Sequence, residues 1–324
     1  MGKKSAEFTL IDNYFRGLTD QRGVIVGIGD DGAVIGSDPL SQLVVATDTL
    51  IESVHFPATA MASQIATRAL CVNLSDMAAM GAVPKWFTLA LTLPTELASD
   101  NWLQEFSSGL AQIAAQYGIA LVGGDTTAGP LTISITVLGE VPAQGALLRS
   151  GAEPEDCIYV SGTLGDGAAA LDSLINSDKT AFIDNQRLLE HFYCPQPQIE
   201  LGLGLGNFAS ACIDISDGLV ADLGHLCEAS QVSADICSSK LPIHPDLKQV
   251  SERQYLHWAL NGGDDYQLCF TVPQAQKKPF EAWAGEKKIP VTAIGRMSTI
   301  DYQPLVRVDG QSTEFATGGY SHFS

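Results

Sequence analysis

Apolar, β-branched runs in this chain break off repeatedly at aspartate beside glycine or threonine: GIGDDGA (Asp30, Asp31), VVATDTL (Asp48), LVGGDTT (Asp125) and IDISDGL (Asp214, Asp217). Short runs of this kind alternating with longer segments of helical period belong to a mixed α/β chain, not to a bundle or a sandwich. A carboxylate at a strand's end stands where such folds collect ligands, and a flanking glycine lets the ligand approach the backbone. One more aspartate, Asp76, lies inside the otherwise apolar helical run CVNLSDMAAM.

Periodicity divides the chain in two. Phe8, Ile11, Tyr14, Phe15 and Leu18 recur at helical spacing and predict an N-terminal amphipathic helix over 8–18. Strands are expected at Val24–Ile28, Leu43–Thr47, Ile119–Val122 and Thr132–Leu138, and helices at Ser63–Met80 and Asp100–Tyr117, completing a first domain over 1–140. Residues 141–156, with two Pro and two Gly and no apolar period, read as a connection. The second domain, 157–324, is expected to hold strands Ile158–Ser161, Cys212–Ile215, Tyr266–Val272 and Val291–Ile294. Its expected helices are Asp166–Ile175, Pro197–Ala209, Gly218–Ser230 and Gln274–Gly285. GLGLGN at Gly202–Asn207 imitates a dinucleotide loop, but it lies within an apolar helical period with no strand before it, so close helix packing is its reading.

Composition narrows the partners. With 45% hydrophobic and 17% charged residues in 324, the chain is too apolar for disorder and long enough for two cores. A balance of 18 Lys and Arg against 37 Asp and Glu, net −19, disfavours nucleic acid and anionic lipid, so cations are the expected partners, with no nucleic acid and no membrane. No apolar run reaches the roughly 18–20 residues of a membrane helix. The seven cysteines are scattered without a C-x-x-C pair, and no leader precedes Thr9, so reduced thiols in a cytoplasmic protein are expected.

Taken singly, each aspartate fits ordinary turn or N-cap chemistry. Six of them in or beside apolar segments (Asp31, Asp48, Asp76, Asp125, Asp214, Asp217) need a cation or several donors to offset desolvation. Bases are scarce: between Gly27 and Leu148 there are eleven acids against Arg68 and Lys85. Metal ions solve the imbalance, and hard oxygen ligands without a Cys/His cluster favour Mg²⁺ or Mn²⁺ over Zn²⁺. Several Mg²⁺ ions held by carboxylates usually serve to hold polyphosphate. Yet the chain has no G-x-x-x-x-G-K-[ST] loop and no paired H-R-D and D-F-G motifs. His191, His225, His244 and His257 lack metal-ligand spacing.

Ten segments in sequence order carry a family resemblance: EFTLI, GIGDDGAV, TDTLIESVHF, CVNLSDMAAMGAVPKW, LALTLP, LVGGDTT, LLRSGAEPEDCIYVSGTLGD, IDISDGLVADLGH, GGDDYQLCFTV and GGYSHF. Over nearly its whole length the chain resembles the thiamine-monophosphate kinase family of the PurM-like superfamily. The resemblance implies two mixed-sheet domains of α+β, PurM-like architecture, the first sharing a β-barrel across a homodimer. It also implies direct transfer of the ATP γ-phosphoryl group to thiamine monophosphate, giving thiamine diphosphate and ADP, with several Mg²⁺ ions. By the same resemblance Asp31, Asp48, Asp76, Asp125, Asp214 and Asp217 would hold metal with Thr47 and the Ala46 backbone, and Asp48, Asp125 and Asp217 would carry catalysis. Tyr117, Gly124, Asp125, Arg149 and Ser216 would meet ATP; His55, Asp264 and Tyr320 would meet the thiamine phosphate. The family's usual GGEDYEL reads GGDDYQL here, placing Asp264 and Gln267 where Glu is expected.

Two other readings stand beside this one. Another superfamily acceptor, as in aminoimidazole ribonucleotide synthetase, selenophosphate synthetase or the hydrogenase-maturation carbamoyl dehydratase, finds less support. Residues 1–10 hold no Cys, and the chain ends HFS rather than in Cys. A non-enzymatic binder of divalent cations would explain the net charge but not the order of the motifs.

Overall fold

A computed structural model describes residues 13–18, 23–26, 28, 33–36, 38–143, 145–175, 185–300 and 302–313. The chain divides into two compact units, 1–77 with 82–144, and 145–324 with 78–81. Each is described by itself.

In the first unit, β1 (Val24–Val26) pairs antiparallel with β2 (Val34–Ile35). A separate four-stranded sheet contains β3 (Ser41–Ile51), β4 (Val83–Leu93), β5 (Ala120–Ala128) and β6 (Thr132–Pro142) in the order β3-β6-β4-β5. Only β4 and β5 run parallel. Helix α1 (Ala62–Ala79) joins β3 to β4, and α2 (Asp100–Tyr117) joins β4 to β5.

α2 starts where the Ser99 side chain accepts the Trp102 amide and stops where Gly118, at φ 65°, returns its N–H to Ala114. α1 is apolar nearly all round and is accordingly buried, with Leu70, Cys71, Leu74 and Met77 out of contact with water. β3 alternates: Val44 and Leu50 are buried, while Leu43 and Val45 on the opposite face are 47% and 59% exposed. Trp86, Ala120 and Val122 form a smaller core against Val24, Ile35 and Leu138.

The expected strands here are longer in the structure. β3 continues from Thr47 to Ile51, and β5 from Val122 to Ala128, each paired along its length. Asp48 and Asp125 therefore lie within strands rather than at strand ends. The reason is that β6 offers eleven successive partners to β3, and cross-strand hydroxyl pairs Thr47–Thr136 (2.9 Å) and Thr49–Ser134 (2.7 Å) support the ladder past Asp48. Of the expected N-terminal helix, residues 8–12 lie outside the described residues, and Arg16–Leu18 forms a single 3₁₀ turn.

Among the described residues the second unit has seven strands: β7 (Cys157–Ser161), β8 (Ala211–Asp214), β9 (Ser233–Ile236), β10 (Leu268–Val272), β11 (Val291–Ser298), β12 (Val306–Val308) and β13 (Gln311–Thr313). Their order is β13-β12-β9-β11-β7-β10-β8, with β12 and β9 the one parallel pair. The helices are α3 (Asp166–Ile175), α4 (Asn185–Tyr193), α5 (Ile199–Leu205), α6 (Leu219–Ser230), α7 (Glu252–Asn261) and α8 (Lys277–Lys287). The core centres on Tyr159, Phe270 and Phe280, whose ring centroids lie 5.0–5.7 Å apart. Gly202 and Gly204 of GLGLGN serve packing, as expected: a Cβ on Gly202 would overlap the Ala78 carbonyl oxygen, and one on Gly204 the Trp283 ring.

Asp166–Ile175 and Asp100–Tyr117 form as predicted, while β10 starts at Leu268 and not at Tyr266. Asp264 and Tyr266 adopt left-handed φ values of 68° and 49°. Their amides turn to Ser216 and Ile215 carbonyls at 2.9 and 2.8 Å instead of extending the strand. All seven cysteines are free thiols, five of them buried. No described helix is long and apolar enough to cross a membrane.

Candidate functional site

In the first unit the sheet and α1 bring two of the expected ligands together. Asp48 projects from β3 and Asp76 from α1, and their carboxyl groups share a hydrogen bond. Burial pushes the Asp48 carboxyl above the usual carboxylate range, and the bond to Asp76 only partly offsets it. One turn before Asp76, buried Asn73 donates to the Ala69 carbonyl (2.9 Å), while its Oδ1 accepts the Asp48 amide (3.1 Å). Asn73 thus fixes β3 on the helix at the pair. Sequence reasoning missed it, although an Asn in a run of apolar helix three residues from Asp76 was the visible signal.

Ala46 and Thr47 precede Asp48 on β3, opposite Val137 and Thr136. Asp125 lies on β5 beside Ala90, accepting the Thr126 amide at 2.9 Å. In the row Asp48, Ile135, Leu89, Gly124 the four strands stand abreast, so β3 and β5 are separated by roughly 14 Å of sheet. The sheet therefore does not gather Asp125 onto the Asp48–Asp76 pair. Gly124, at φ 156°, has no room for a side chain, because a Cβ there would overlap the Leu89 carbonyl oxygen.

Tyr117 is the last residue of α2, seven residues before Gly124, and lines a cavity of about 540 Å³ with Lys85, Trp86 and Glu140. His55 lies in the turn after β3. Its Nδ1 accepts the Ile51 amide at 3.0 Å, which assigns the ring proton of neutral His55 to Nε2. Its carbonyl accepts from the buried Arg68 side chain at 3.1 Å.

In the second unit Asp214 ends β8, and Ser216 and Asp217 occupy the turn into α6. Asp222, nearly fully buried, reaches back over this turn: its Oδ2 accepts the amides of Ser216, Asp217 and Gly218 at 3.0, 3.0 and 3.1 Å. Burial pushes the Asp222 carboxyl well up, and the nearby Asp214 and Asp217 carboxylates push the same way. Asp264 adjoins this turn through its amide bond to Ser216, and its Oδ1 accepts the Tyr266 hydroxyl at 3.1 Å.

Buried Asp265 accepts the Gly165 and Gly167 amides at 2.7 and 3.1 Å, anchoring the same loop on the start of α3. Gln267 points inward and accepts Ser161 Oγ at 2.7 Å, so this departure from GGEDYEL is an interior contact. Arg149 is held elsewhere: its carbonyl accepts Ser230 Oγ (2.8 Å) at the far end of α6, a helix of roughly 18 Å, from the Ser216 turn. Asp222 and Asp265 were not singled out from sequence. Asp31 and Tyr320 lie outside the described residues.

The donor set decides which metal these residues suit. Asp48 with Asp76, and Asp214 with Asp217, supply hard oxygen donors and no thiolate or imidazole. Among the described residues no group of three or more His, Cys, Asp or Glu is drawn into a closed cage. Carboxylate oxygens without thiolate or imidazole are the donors that hard cations such as Mg²⁺ take, usually with water completing the shell.

Comparison with known proteins matches two families in tandem: AIR synthase related protein, N-terminal domain, over residues 29–141, and its C-terminal domain over 153–299. The chain is 43% identical over 325 residues to the thiamine-monophosphate kinase of Salmonella typhimurium, covering 98% of each. The crystal structure of thiamine-monophosphate kinase from Stenotrophomonas maltophilia superposes with a TM-score of 0.86 at 43% identity, covering 95% of this chain and 98% of that one. AaThiL complexed with AMPPCP and TMP superposes with a TM-score of 0.78 at 33% identity, covering 100% and 99%.

Proposed function

The chain belongs to the thiamine-monophosphate kinase family, and from that premise we propose that it transfers the γ-phosphoryl group of ATP directly to the phosphate of thiamine monophosphate, yielding thiamine diphosphate and ADP. The observation that carries this reading is the hydrogen-bonded Asp48–Asp76 pair, half-buried in a segment with only two basic residues. Such a pair calls for a cation, and Mg²⁺ bound there would neutralise phosphate charge.

The acceptor is a phosphomonoester with a second pKa near ~6, already largely ionised at neutral pH, so the chain need supply no general base. What it must supply is alignment of two repelling anions. Asp48 and Asp76, with Thr47 and the Ala46 backbone, would hold metal in the first unit, as would Asp125 and Asp31. Asp214 and Asp217 would do so in the second, beside Ser216 for the nucleotide. Tyr117 and Gly124 would meet ATP, and Arg149, whose backbone is bound at the far end of α6 from Ser216, would do so only through its long side chain. Asp125 and Asp48, on strands roughly 14 Å apart, would serve different ions.

The His55 Nε2–H is a donor and suits a phosphate oxygen. Asp264 offers a carboxylate to the cationic heterocycle, with Tyr320 as the further substrate contact. A homodimer is part of the reading, because β3 presents Leu43, Val45 and Ile51 on a face where they are exposed among the described residues. A cytoplasmic location accords with the free cysteines.

The test is a coupled assay for ADP formation with thiamine monophosphate, with and without Mg²⁺. Turnover should require all three of ATP, Mg²⁺ and thiamine monophosphate. ADP release that ignores thiamine monophosphate would overturn the acceptor.

A further inference from the structure

The turn from β8 into α6 is laid out like an anion site. Three successive amides, of Ser216, Asp217 and Gly218, converge at the start of a twelve-residue helix, the arrangement that elsewhere cradles phosphate. In this protein the cradle is filled from within, because all three N–H groups point at Asp222 Oδ2. We propose that Asp222 is a positioning residue: it occupies the amide nest that would otherwise take phosphate, and thereby makes this turn meet the nucleotide through the Ser216 hydroxyl and the Asp217 carboxylate. The inference rests on the reading of Ser216 and Asp217 given above.

An ordinary N-cap does not account for the contact. The N-cap position of α6 is Gly218, and Asp222 sits one turn inside the helix, reaching back over three residues that precede it. The carbonyls of the turn are committed as well: Ser216 accepts the Asp264 amide at 2.9 Å and Gly218 accepts the Asp222 amide at 3.0 Å. Close packing leaves the turn no alternative path. Gly218 has φ 120°, and a Cβ there would stand 2.9 Å from the Asn261 carbonyl carbon. Any Cβ on Gly263 would overlap the Ser216 carbonyl oxygen. With its three amides and the Ser216 and Gly218 carbonyls held internally, the turn would meet a ligand through side-chain oxygens. Those oxygens select metal-bound over bare phosphate, since a carboxylate meets a phosphate only through a cation.

Asp222→Ala removes the acceptor of all three amides, and Asp222→Asn keeps an oxygen in its place. The alanine variant is expected to lower kcat by about 10- to 100-fold and to raise half-saturating Mg²⁺ about tenfold, with KM for thiamine monophosphate within about twofold of the parent. The asparagine variant should recover to within about fivefold of the parent on both counts. Asp156→Ala is the control for stability alone: Asp156 is a buried carboxyl in the same unit that accepts Ser210 Oγ at 2.6 Å and the Glu153 amide at 3.0 Å. It should lower Tm without moving half-saturating Mg²⁺. A folded Asp222→Ala that behaves like this control overturns the proposal.

Should Asp222→Ala not fold, hydrogen exchange in the parent protein decides. Amides 216–218 should be protected without nucleotide and unchanged by MgATP; fast exchange that MgATP suppresses would show that the amides bind the nucleotide and would overturn the proposal. Asp217→Ala separates the two levels of argument. If it keeps the parent rate, the reading of this turn fails and the inference with it. If it is inactive while Asp222→Ala is unaffected, the inference alone fails.

Discussion

Asp166 shows how this acidic chain keeps a buried carboxylate ionised. Burial pushes its carboxyl up, but the Arg187 guanidinium at 2.7 Å and the Thr163 hydroxyl more than reverse that, leaving it below the usual range. A carboxylate with a depressed pKa adds stability above its unfolded value of about 4, and that stability is lost as pH falls through the folded value. Arg187→Met should destabilise the protein by about 3 kcal/mol at pH 7, and the gap should close on acidification; equal spacing of the two urea curves from pH 7 to 3 would contradict this. At the candidate site, Asp48→Ala and Asp217→Ala should each reduce turnover by about 10²-fold or more with the fold intact by circular dichroism. Near-native rates would remove either residue from the site. The aspartates stand out in the sequence because each lies in a run that otherwise has no reason to hold charge. Asn73 left a visible signal, a polar residue in an apolar helical run, but Asp222 and Asp265 did not stand out, because what defines them is a set of backbone amides brought near by folding.

Among the elements, long helices with caps were readable and the central strand was not. α2 has Ser99 before it and Gly118 after it, both used as caps. β4, which joins β6 to β5, was overlooked: it begins Val-Pro-Lys, and its Leu and Ala residues do not favour a strand locally, so its identity comes from having neighbours on both sides. Likewise, β3 and β5 were cut short because aspartate and glycine read as punctuation, whereas the ladder runs through them. Gly124 is where that ladder tolerates no substitute. Gly124→Ala should cost about 2–3 kcal/mol and disturb the neighbouring Asp125, seen as a lowered Tm together with a raised ATP requirement. An alanine variant with the parent's Tm would mean that β5 can take another path beside Leu89.

For the whole molecule, the chain divides into two compact units, and in the first the exposed face of β3 was not legible in the sequence. Alternation in β3 announces one buried face, but only the assembled sheet shows that nothing in the described residues covers Leu43 and Val45. Light scattering should give twice the mass of one chain, and Val45→Asp should shift it to the single-chain value without loss of helix content. A parent protein that stays at one chain's mass at all concentrations would remove the dimer from the reading. The same face has a kinetic consequence. In the proposed dimer a chain diluted out of denaturant would bury it by meeting another copy, so the last phase of refolding should be second order, and recovery should depend on how soon a correct encounter precedes a wrong one.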